Sequence, residues 1–383
     1  MSITSPAGFR AAGVAAGLKT SGGKDLALVV NDGPNHDSAS VFTSNRCKAN
    51  PILWSQEVVK DGVVRAVVLN SGGANCYTGA EGFQTTHAVA EQVAGHLGIG
   101  AGDVVVCSTG LIGLANPRQN LLDGVDAAYA ALAADAGNDA AEAIMTTDSV
   151  NKQTVVEGAG WSVGGMAKGA GMLAPQLATM LVVLTTDAVV PAADLDTALR
   201  AATRVSFDRL DSDGCMSTND TVTVMASGAS GITPSLPDFT EALTRACTDL
   251  AMQLLRDAEG AEHEIAITVV NAASEDDAVK VGRSVARSNL FKAAVFGNDP
   301  NWGRVLASMG TTDAVFDPAD LDVAMNGVWV CKKSTPHADP ATVDLKPREV
   351  SVTIDLKSGA ERATVWTSDL THAYVHENSA YSS

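Results

Sequence analysis

Short apolar runs alternate along this chain with stretches in which apolar residues recur every three or four positions. The runs have the length of buried strands, whereas the second spacing is typical of helices that bury one face. Turn sequences such as Asn-Asp-Gly-Pro at residues 31–34 separate these segments. The pattern predicts strands over residues 26–30, 39–42, 65–69, 104–107, 180–184, 222–226, 264–270, 350–356 and 363–367.

Helices are predicted where the three- and four-residue spacing, or an alanine-rich composition, is sustained. The clearest one covers residues 237–258, where apolar side chains recur at that spacing from Phe239 to Leu254. Strands and helices alternate without an internal repeat or a Ser/Pro-rich linker, so the pattern predicts an α/β protein without fixing its topology. Other helices are predicted over residues 82–97, within 119–145, over 191–203 and over 275–291, and a surface loop over 334–345.

Composition narrows the class of protein. A chain of 383 residues, 46% of them hydrophobic, can form one large or two medium domains with a sizeable core. No apolar run approaches the roughly 18 residues of a membrane helix, and no basic segment followed by an apolar stretch opens the chain, so we expect a cytoplasmic protein. The net charge is −18 and no stripe of Lys and Arg forms, which argues against a nucleic-acid partner.

The cysteines and histidines do not form a recognisable metal motif. Six cysteines are scattered without a Cys-x-x-Cys pair, which argues against a zinc site and a secreted disulfide framework. We therefore expect buried free thiols. The seven histidines are also dispersed, and His263 is expected to lie at the surface rather than to bind a metal.

The segment before the predicted strand at residues 180–184 offers a nucleophile. Pro175 holds the chain before Thr179 out of regular structure. If the bond before Thr179 were cut, this residue would carry a hydroxyl and a free α-amine. An α-amine with a pKa of about 8 can act as general base for its own hydroxyl at neutral pH. A threonine that merely begins a strand is the ordinary alternative, and the residues alone favour it.

Residues 168–188 resemble the self-cleavage and nucleophile motif of the ArgJ family, the ornithine acetyltransferases (glutamate N-acetyltransferases) of arginine biosynthesis. Six further segments resemble signatures of the same family in the same order, and together they span nearly the whole chain. They are Asn70-Ser-Gly-Gly-Ala-Asn75, Ser108-Thr-Gly-Leu-Ile-Gly113, Met145-Thr-Thr-Asp148, Ser217-Thr-Asn-Asp-Thr221, Gly297-Asn-Asp-Pro-Asn-Trp-Gly-Arg304 and Tyr374-Val-His-Glu-Asn-Ser-Ala-Tyr381.

The resemblance implies an α/β fold of layered β-sheets flanked by helices, of the ArgJ/DmpA-like type. It also implies autocatalytic cleavage between Ala178 and Thr179. The products would be an N-terminal chain of residues 1–178 and a C-terminal chain of residues 179–383 that carries the nucleophile. The two pieces are expected to stay together as one folded unit, and two such pairs to form a heterotetramer.

The reaction implied by the resemblance moves acetyl from N2-acetyl-L-ornithine to L-glutamate through an acetyl-threonine intermediate. It needs no metal or organic cofactor. Thr179 would be the nucleophile, and Thr109 with Gly110 would form the oxyanion hole. Thr147 stays an alternative to its neighbour Thr146 as a substrate contact. The substrate contacts implied by the resemblance are Thr146, Lys168, Thr179, Glu259, Asn378 and Ser383.

Several alternatives stay open at this point. Some family members also accept acetyl-CoA as donor, and a member devoted to a secondary-metabolite pathway would have almost the same sequence. An N-terminal-nucleophile amidohydrolase or aminopeptidase would share the cleavage but pass the acyl group to water, and the absence of a histidine near the motif disfavours it. A binding protein without catalysis is disfavoured because Thr179, Lys168 and the Thr109-Gly110 pair are all present.

Overall fold

The computed structural model describes residues 2–171 and 180–380, which form three β-sheets and the helices that cover them. The strands are β1 (Phe9–Val14), β2 (Leu26–Asn31), β3 (Asp37–Phe42), β4 (Ala66–Gly73), β5 (Val104–Leu111), β6 (Lys152–Glu157), β7 (Ser162–Lys168), β8 (Leu181–Thr186), β9 (Thr221–Ala226), β10 (Glu264–Ala272), β11 (Asp322–Met325), β12 (Val328–Lys332), β13 (Thr335–Pro336), β14 (Glu349–Asp355) and β15 (Glu361–Ser368). The helices are α1 (Asn50–Val58), α2 (Gly79–Leu97), α3 (Arg118–Ala130), α4 (Gly137–Ala143), α5 (Ala192–Val205), α6 (Leu236–Arg256), α7 (Glu275–Ala286), α8 (Asn289–Phe296), α9 (Trp302–Met309) and α10 (His372–Ala380).

Two of the sheets pack face to face. One has the strand order β1-β2-β4-β5 and the other the order β3-β9-β8-β7-β6. Their facing side chains share one core, which includes Val67 and Val105 of the first sheet and Leu181 and Val183 of the second. Helices α2 and α3 cover the outer face of the first sheet, and α5 and α6 cover the outer face of the second. The resulting helix–sheet–sheet–helix layers confirm the expected α/β fold with layered sheets.

The strand β8 shows why this architecture is visible in the sequence. Successive side chains of a strand point to opposite faces of its sheet. Leu181 and Val183 face the neighbouring sheet, whereas Val182 and Leu184 face α5 and α6. Because both faces are buried, the strand requires a continuous apolar run rather than an alternating one.

The third sheet lies beside the layered pair and has the order β13-β12-β11-β14-β10-β15. Ile265 and Ile267 of β10 pack with Val281 and Val285 of α7 in a separate core. Trp366 of β15 packs instead against the core beneath α5 and α6, and thereby joins the third sheet to the rest of the fold.

Three expectations from the sequence need correction. The helix predicted over residues 275–291 is two helices, because Ser288 caps the start of α8 by accepting a hydrogen bond from the Phe291 N–H. The strand predicted over residues 104–107 continues to Leu111, since residues 108–111 pair with the end of β4. His263 is buried rather than exposed, because its two ring nitrogens pair with the Asp369 carboxylate and the Leu345 carbonyl.

The cysteines follow the expectation in part. All six are free, and four of them are buried, but Cys47 and Cys215 are exposed. Across residues 2–171 and 180–380, no helix combines the length and the apolar character that crossing a membrane requires.

Candidate active site

The end of β5, together with Ala74 directly after β4, forms one wall of a cavity of about 400 Å³. The two strands run parallel, and Gly72 lies opposite Gly110. Gly110 has a φ of +127°, and a Cβ atom at this position would lie 2.7 Å from the Gly72 carbonyl carbon. Only glycine fits this close approach. Thr109 and Gly110 therefore border the cavity at a point where the backbone is fixed.

Lys168 brings a cation to the same place. It is the last residue of β7, and it pairs with Leu181 at the start of β8. Its side chain is buried, and its Nζ donates to Thr109 Oγ1 at 3.1 Å. Burial lowers the pKa of Lys168, while the Asp148 carboxylate acts in the opposite direction. The lysine and the threonine implied by the family resemblance are thus direct neighbours.

Thr146, Thr147 and Glu259 line another part of the cavity wall. The Thr147 hydroxyl donates to Glu259 Oε1 at 2.7 Å, and the Glu259 backbone N–H donates to the Ala170 carbonyl at 2.8 Å. The backbone N–H of Thr146 donates to Asp148 Oδ2 at 2.9 Å. Both threonines therefore reach the cavity, and the hydroxyl of Thr147 is already engaged by a carboxylate.

The C-terminal helix α10 closes part of the cavity with Tyr374 and Asn378. Gly260 has a φ of +62°, and a Cβ atom there would lie 2.2 Å from the Tyr374 backbone nitrogen. The glycine thus allows α10 to pack directly on the turn that follows α6. The Tyr374 hydroxyl donates to Asp213 Oδ1 at 3.2 Å, and burial, with the neighbouring Asp213 carboxylate, raises the pKa of Tyr374 to about 12.

The segment before β9 connects these parts. Asn219 lines the cavity, and its Nδ2 donates to the Ala74 carbonyl at 2.7 Å and to the Ser108 carbonyl at 2.8 Å. The adjacent Asp220 is fully buried, and its Oδ1 accepts the Met180 N–H at 3.0 Å. Burial raises the pKa of Asp220 well above its usual value. Asp220 therefore fixes the residue that directly follows Thr179 in the chain.

The structure brings most of the predicted site residues around this one cavity. They are Thr109, Gly110, Thr146, Lys168, Glu259 and Asn378, together with the alternative Thr147. The predicted cleavage residues Ala178 and Thr179, and the predicted contact Ser383, lie outside the described residues.

Sequence reasoning gave no role to several other residues that line the cavity. Asp213, Ser217, Asn219 and Tyr374 belong to this group. Three of them stand in segments that resemble family signatures, which was the available signal, but a signature does not say which side chain faces a cavity. Among the described residues, no group of three His, Cys, Asp or Glu side chains is arranged to hold a metal ion.

Comparison with known proteins identifies the family of this chain. The model of the ArgJ family matches residues 10–383. The arginine biosynthesis bifunctional protein ArgJ of Streptomyces coelicolor is 62% identical over 383 residues, which is 100% of both chains. The protein of the same name from Thermobifida fusca is 62% identical over 382 residues, again 100% of both chains.

A solved structure is also similar. The ornithine acetyltransferase of Mycobacterium tuberculosis, in complex with ornithine, is 55% identical over an alignment that covers 45% of this chain and 94% of that one, with a TM-score of 0.45. The match of the family model to nearly the whole chain, and the full-length identity to two proteins named ArgJ, lead to one conclusion. This chain belongs to the ArgJ family.

Proposed function

We propose that this chain transfers the acetyl group of N2-acetyl-L-ornithine to L-glutamate, as a glutamate N-acetyltransferase of arginine biosynthesis. The observation that carries the proposal is the cavity in which Thr109, Gly110, Lys168 and Glu259 meet beside the start of β8. Acyl transfer forms a tetrahedral intermediate with a negatively charged oxygen, which is stabilised by donors that are already in place. The family, and the names of its full-length relatives, support the same reaction.

Self-cleavage between Ala178 and Thr179 is the first step of the proposed mechanism. It frees the α-amine of Thr179, which then serves as the base for the hydroxyl of the same residue. The hydrogen bond from the Met180 N–H to the buried Asp220 supports this assignment, because it anchors the chain immediately after Thr179. The resulting pieces are residues 1–178 and 179–383.

Acetyl transfer then proceeds in two halves. Thr179 Oγ1 attacks the acetyl carbonyl, its proton passes to the α-amine, and Thr109 with Gly110 donates hydrogen bonds to the oxyanion. The carbon–nitrogen bond breaks, the proton moves to the leaving amine, and ornithine departs from an acetyl-threonine ester. The amine of glutamate attacks this ester, and Thr179 recovers its hydroxyl as N-acetylglutamate leaves.

The charges around the cavity suit amino-acid substrates. Lys168 is a buried cation that can pair with a carboxylate, and Glu259 and Asp213 can accept hydrogen bonds from an ammonium group. Asn378 adds an uncharged amide from α10. Ornithine and glutamate differ in the charge at the end of the side chain, so a cavity with both signs of charge can receive each substrate in turn.

A competition assay tests the proposal. Purified protein is tested in three reactions. The first contains N2-acetyl-L-ornithine and glutamate, and the second contains N2-acetyl-L-ornithine without glutamate, so that water is the only acceptor. In the third, acetyl-CoA replaces acetylornithine as donor and glutamate is the acceptor. We expect ornithine and N-acetylglutamate to form in equal amounts and only when glutamate is present. Release of acetate at the same rate without glutamate would instead identify an amidohydrolase. The third reaction decides whether acetyl-CoA is a donor.

The location and assembly belong to the same proposal. We propose a cytoplasmic enzyme, which the six free cysteines support because thiols stay reduced in that compartment.

Two cleaved pairs are proposed to associate as a heterotetramer. Native mass spectrometry would give the number of each piece in the assembly.

Substitution of Thr146 and of Thr147 by valine separates their roles. We expect Thr146→Val to raise the KM for acetylornithine about tenfold, because loss of one hydrogen bond to a charged group costs about 1.5–3 kcal/mol. Thr147→Val removes a hydroxyl that already donates to Glu259, so a smaller change in KM is expected. Steady-state kinetics of both variants measure the difference. The opposite order of effects would assign the substrate contact to Thr147.

The C-terminal tail is expected to take part in substrate binding. Deletion of residues 378–383 should raise the KM for acetylornithine roughly tenfold or more, because Asn378 lines the cavity and Ser383 is a proposed second contact. The melting temperature should stay unchanged, since Asn378, Ser379 and Ala380 are exposed. Ser379→Ala is the matched control and should behave like the wild type. Normal kinetics of the truncated enzyme would remove the tail from the site.

A further inference from the structure

Three charged side chains form a cluster behind the cavity wall, which we call the buried charge cluster: Asp148, Lys152 and Asp257. Lys152 Nζ lies 2.7 Å from Asp148 Oδ1 and 2.6 Å from Asp257 Oδ2. The side chains of Lys152 and Asp148 are 0% exposed, and that of Asp257 is 9% exposed. None of the three lines the cavity. A cation buried this completely requires the two carboxylates as partners.

The carboxylates of the cluster also hold the backbone of the segments that do line the cavity. Asp148 Oδ2 accepts the Thr146 N–H at 2.9 Å, and Asp148 Oδ1 accepts the Gly169 N–H at 2.6 Å. Asp257 Oδ2 accepts the Ser149 N–H at 3.0 Å, and the Ser149 hydroxyl donates to the same carboxylate. The cluster thereby joins the segment after α4, the end of β7 and the turn after α6.

The cluster also controls the surroundings of Lys168. Burial by itself would raise the pKa of Asp148, but the nearby charges of Lys168 and Lys152 outweigh this effect and hold its pKa at about 2. Asp148 is thus ionised, and it has Lys152 as its direct partner. Lys168 Nζ makes its hydrogen bond to Thr109 at the cavity, and Asp148 acts on it through its charge.

We propose that Lys152 and Asp257 are positioning residues for acetyl transfer. Lys152 links Asp148 to Asp257. Asp148 holds the backbone at Thr146 and directly after Lys168, and Asp257 lies two positions before Glu259 in the turn after α6. A purely stabilising role fits the cluster less well, because a buried ion pair usually adds little stability compared with apolar residues of similar volume. The kinetic part of this inference rests on the proposed function.

The test separates position from stability with a pair of variants. Lys152→Met leaves two buried carboxylates with Lys168 as the nearby cation, so the melting temperature should fall. The double variant Lys152→Met/Asp257→Asn removes one charge of each sign, and we expect it to regain most of that loss. Its KM for acetylornithine should nevertheless stay at least about tenfold above the wild-type value, since Asp148 has lost Lys152 as its partner and is no longer linked to the turn after α6.

A matched control is the ion pair of the buried Arg209 and the half-buried Glu275, neither of which lines the cavity. Arg209 Nη2 lies 2.5 Å from Glu275 Oε1, and the Arg209 side chain is 5% exposed. Glu275→Gln should lower the melting temperature and leave the KM for acetylornithine unchanged. A rise in KM caused by general destabilisation would appear in this control as well.

Hydrogen exchange gives a readout that does not depend on the reaction. We expect the amides of Thr146, Ser149 and Gly169 to exchange faster in the double variant than in the wild type. If the wild type transfers no acetyl group, the proposed function fails and exchange alone decides on the positioning role. In that case, exchange of these amides in the double variant at the wild-type rate would overturn the positioning role. Normal KM with normal exchange in the double variant would overturn it in an active enzyme.

Discussion

Thr179→Ala is expected to leave the chain uncut and to reduce acetyl transfer by about 10⁴-fold or more, as loss of a catalytic nucleophile does in other enzymes. Without the hydroxyl, the bond after Ala178 has no internal nucleophile, and no free α-amine is formed to act as base. A denaturing gel and the intact mass of freshly purified protein measure cleavage, and the transfer assay measures activity.

Thr179→Ser is the matched control, because it keeps a hydroxyl at the same position. It should be cut into pieces of residues 1–178 and 179–383 and should keep a measurable part of the activity. An alanine variant that is still cut, or a wild-type protein that is active as a single full-length band, would contradict the assignment of Thr179.

Thr109→Ala is expected to lower kcat by about 10²–10³-fold, since removal of one oxyanion donor costs about 3–4 kcal/mol. The structure adds a second reason, because Thr109 Oγ1 is the hydrogen-bond partner of Lys168 Nζ at 3.1 Å. Loss of this contact leaves the buried ammonium with one partner fewer. Steady-state kinetics with acetylornithine and glutamate measure the effect.

Two controls accompany this variant. Thr109→Ser keeps the hydroxyl and should retain most of the turnover, whereas the melting temperature of Thr109→Ala should show that the protein is folded. Self-cleavage is also expected to slow in Thr109→Ala, because its tetrahedral intermediate can use the same donors. A near-normal kcat would remove Thr109 from the oxyanion hole.

The sequence was sufficient to predict features that depend on local pattern. The apolar run at residues 180–184 predicted the doubly buried strand β8, and the spacing from Phe239 to Leu254 predicted α6. The side chains that each element buries recur at a regular spacing in the sequence, so the pattern can be recognised without the tertiary structure. The ordered family signatures added the candidate residues, including Thr109 and Gly110, that the structure places at one cavity.

Lys168 marks the limit of such reasoning. Taken alone, a lysine that precedes the Gly-Ala-Gly sequence of residues 169–171 would be interpreted as a solvated loop residue. The structure buries it, because β7 lies between β6 and β8 and its end is covered by the turn after α6. Its partners Thr109 and Asp148 stand 59 and 20 positions earlier in the sequence, so its surroundings are set by packing between distant segments.

Packing between distant segments also explains why the sequence could not predict the charge pairs of the site. Lys152 pairs with Asp257 across 105 positions, and Tyr374 reaches Asp213 across 161. A residue sequence shows the chemistry of each side chain and the periodicity of its own element. By itself it therefore determined the alternation of strands and helices and offered Thr179 as a candidate nucleophile, whereas the candidate oxyanion residues Thr109 and Gly110 came from the resemblance to the ArgJ family. Only the packing of the layers decides which charges meet, which of them are removed from water and which backbone segments they hold. The reason is that charged side chains pair with partners that are near in space but distant in the sequence.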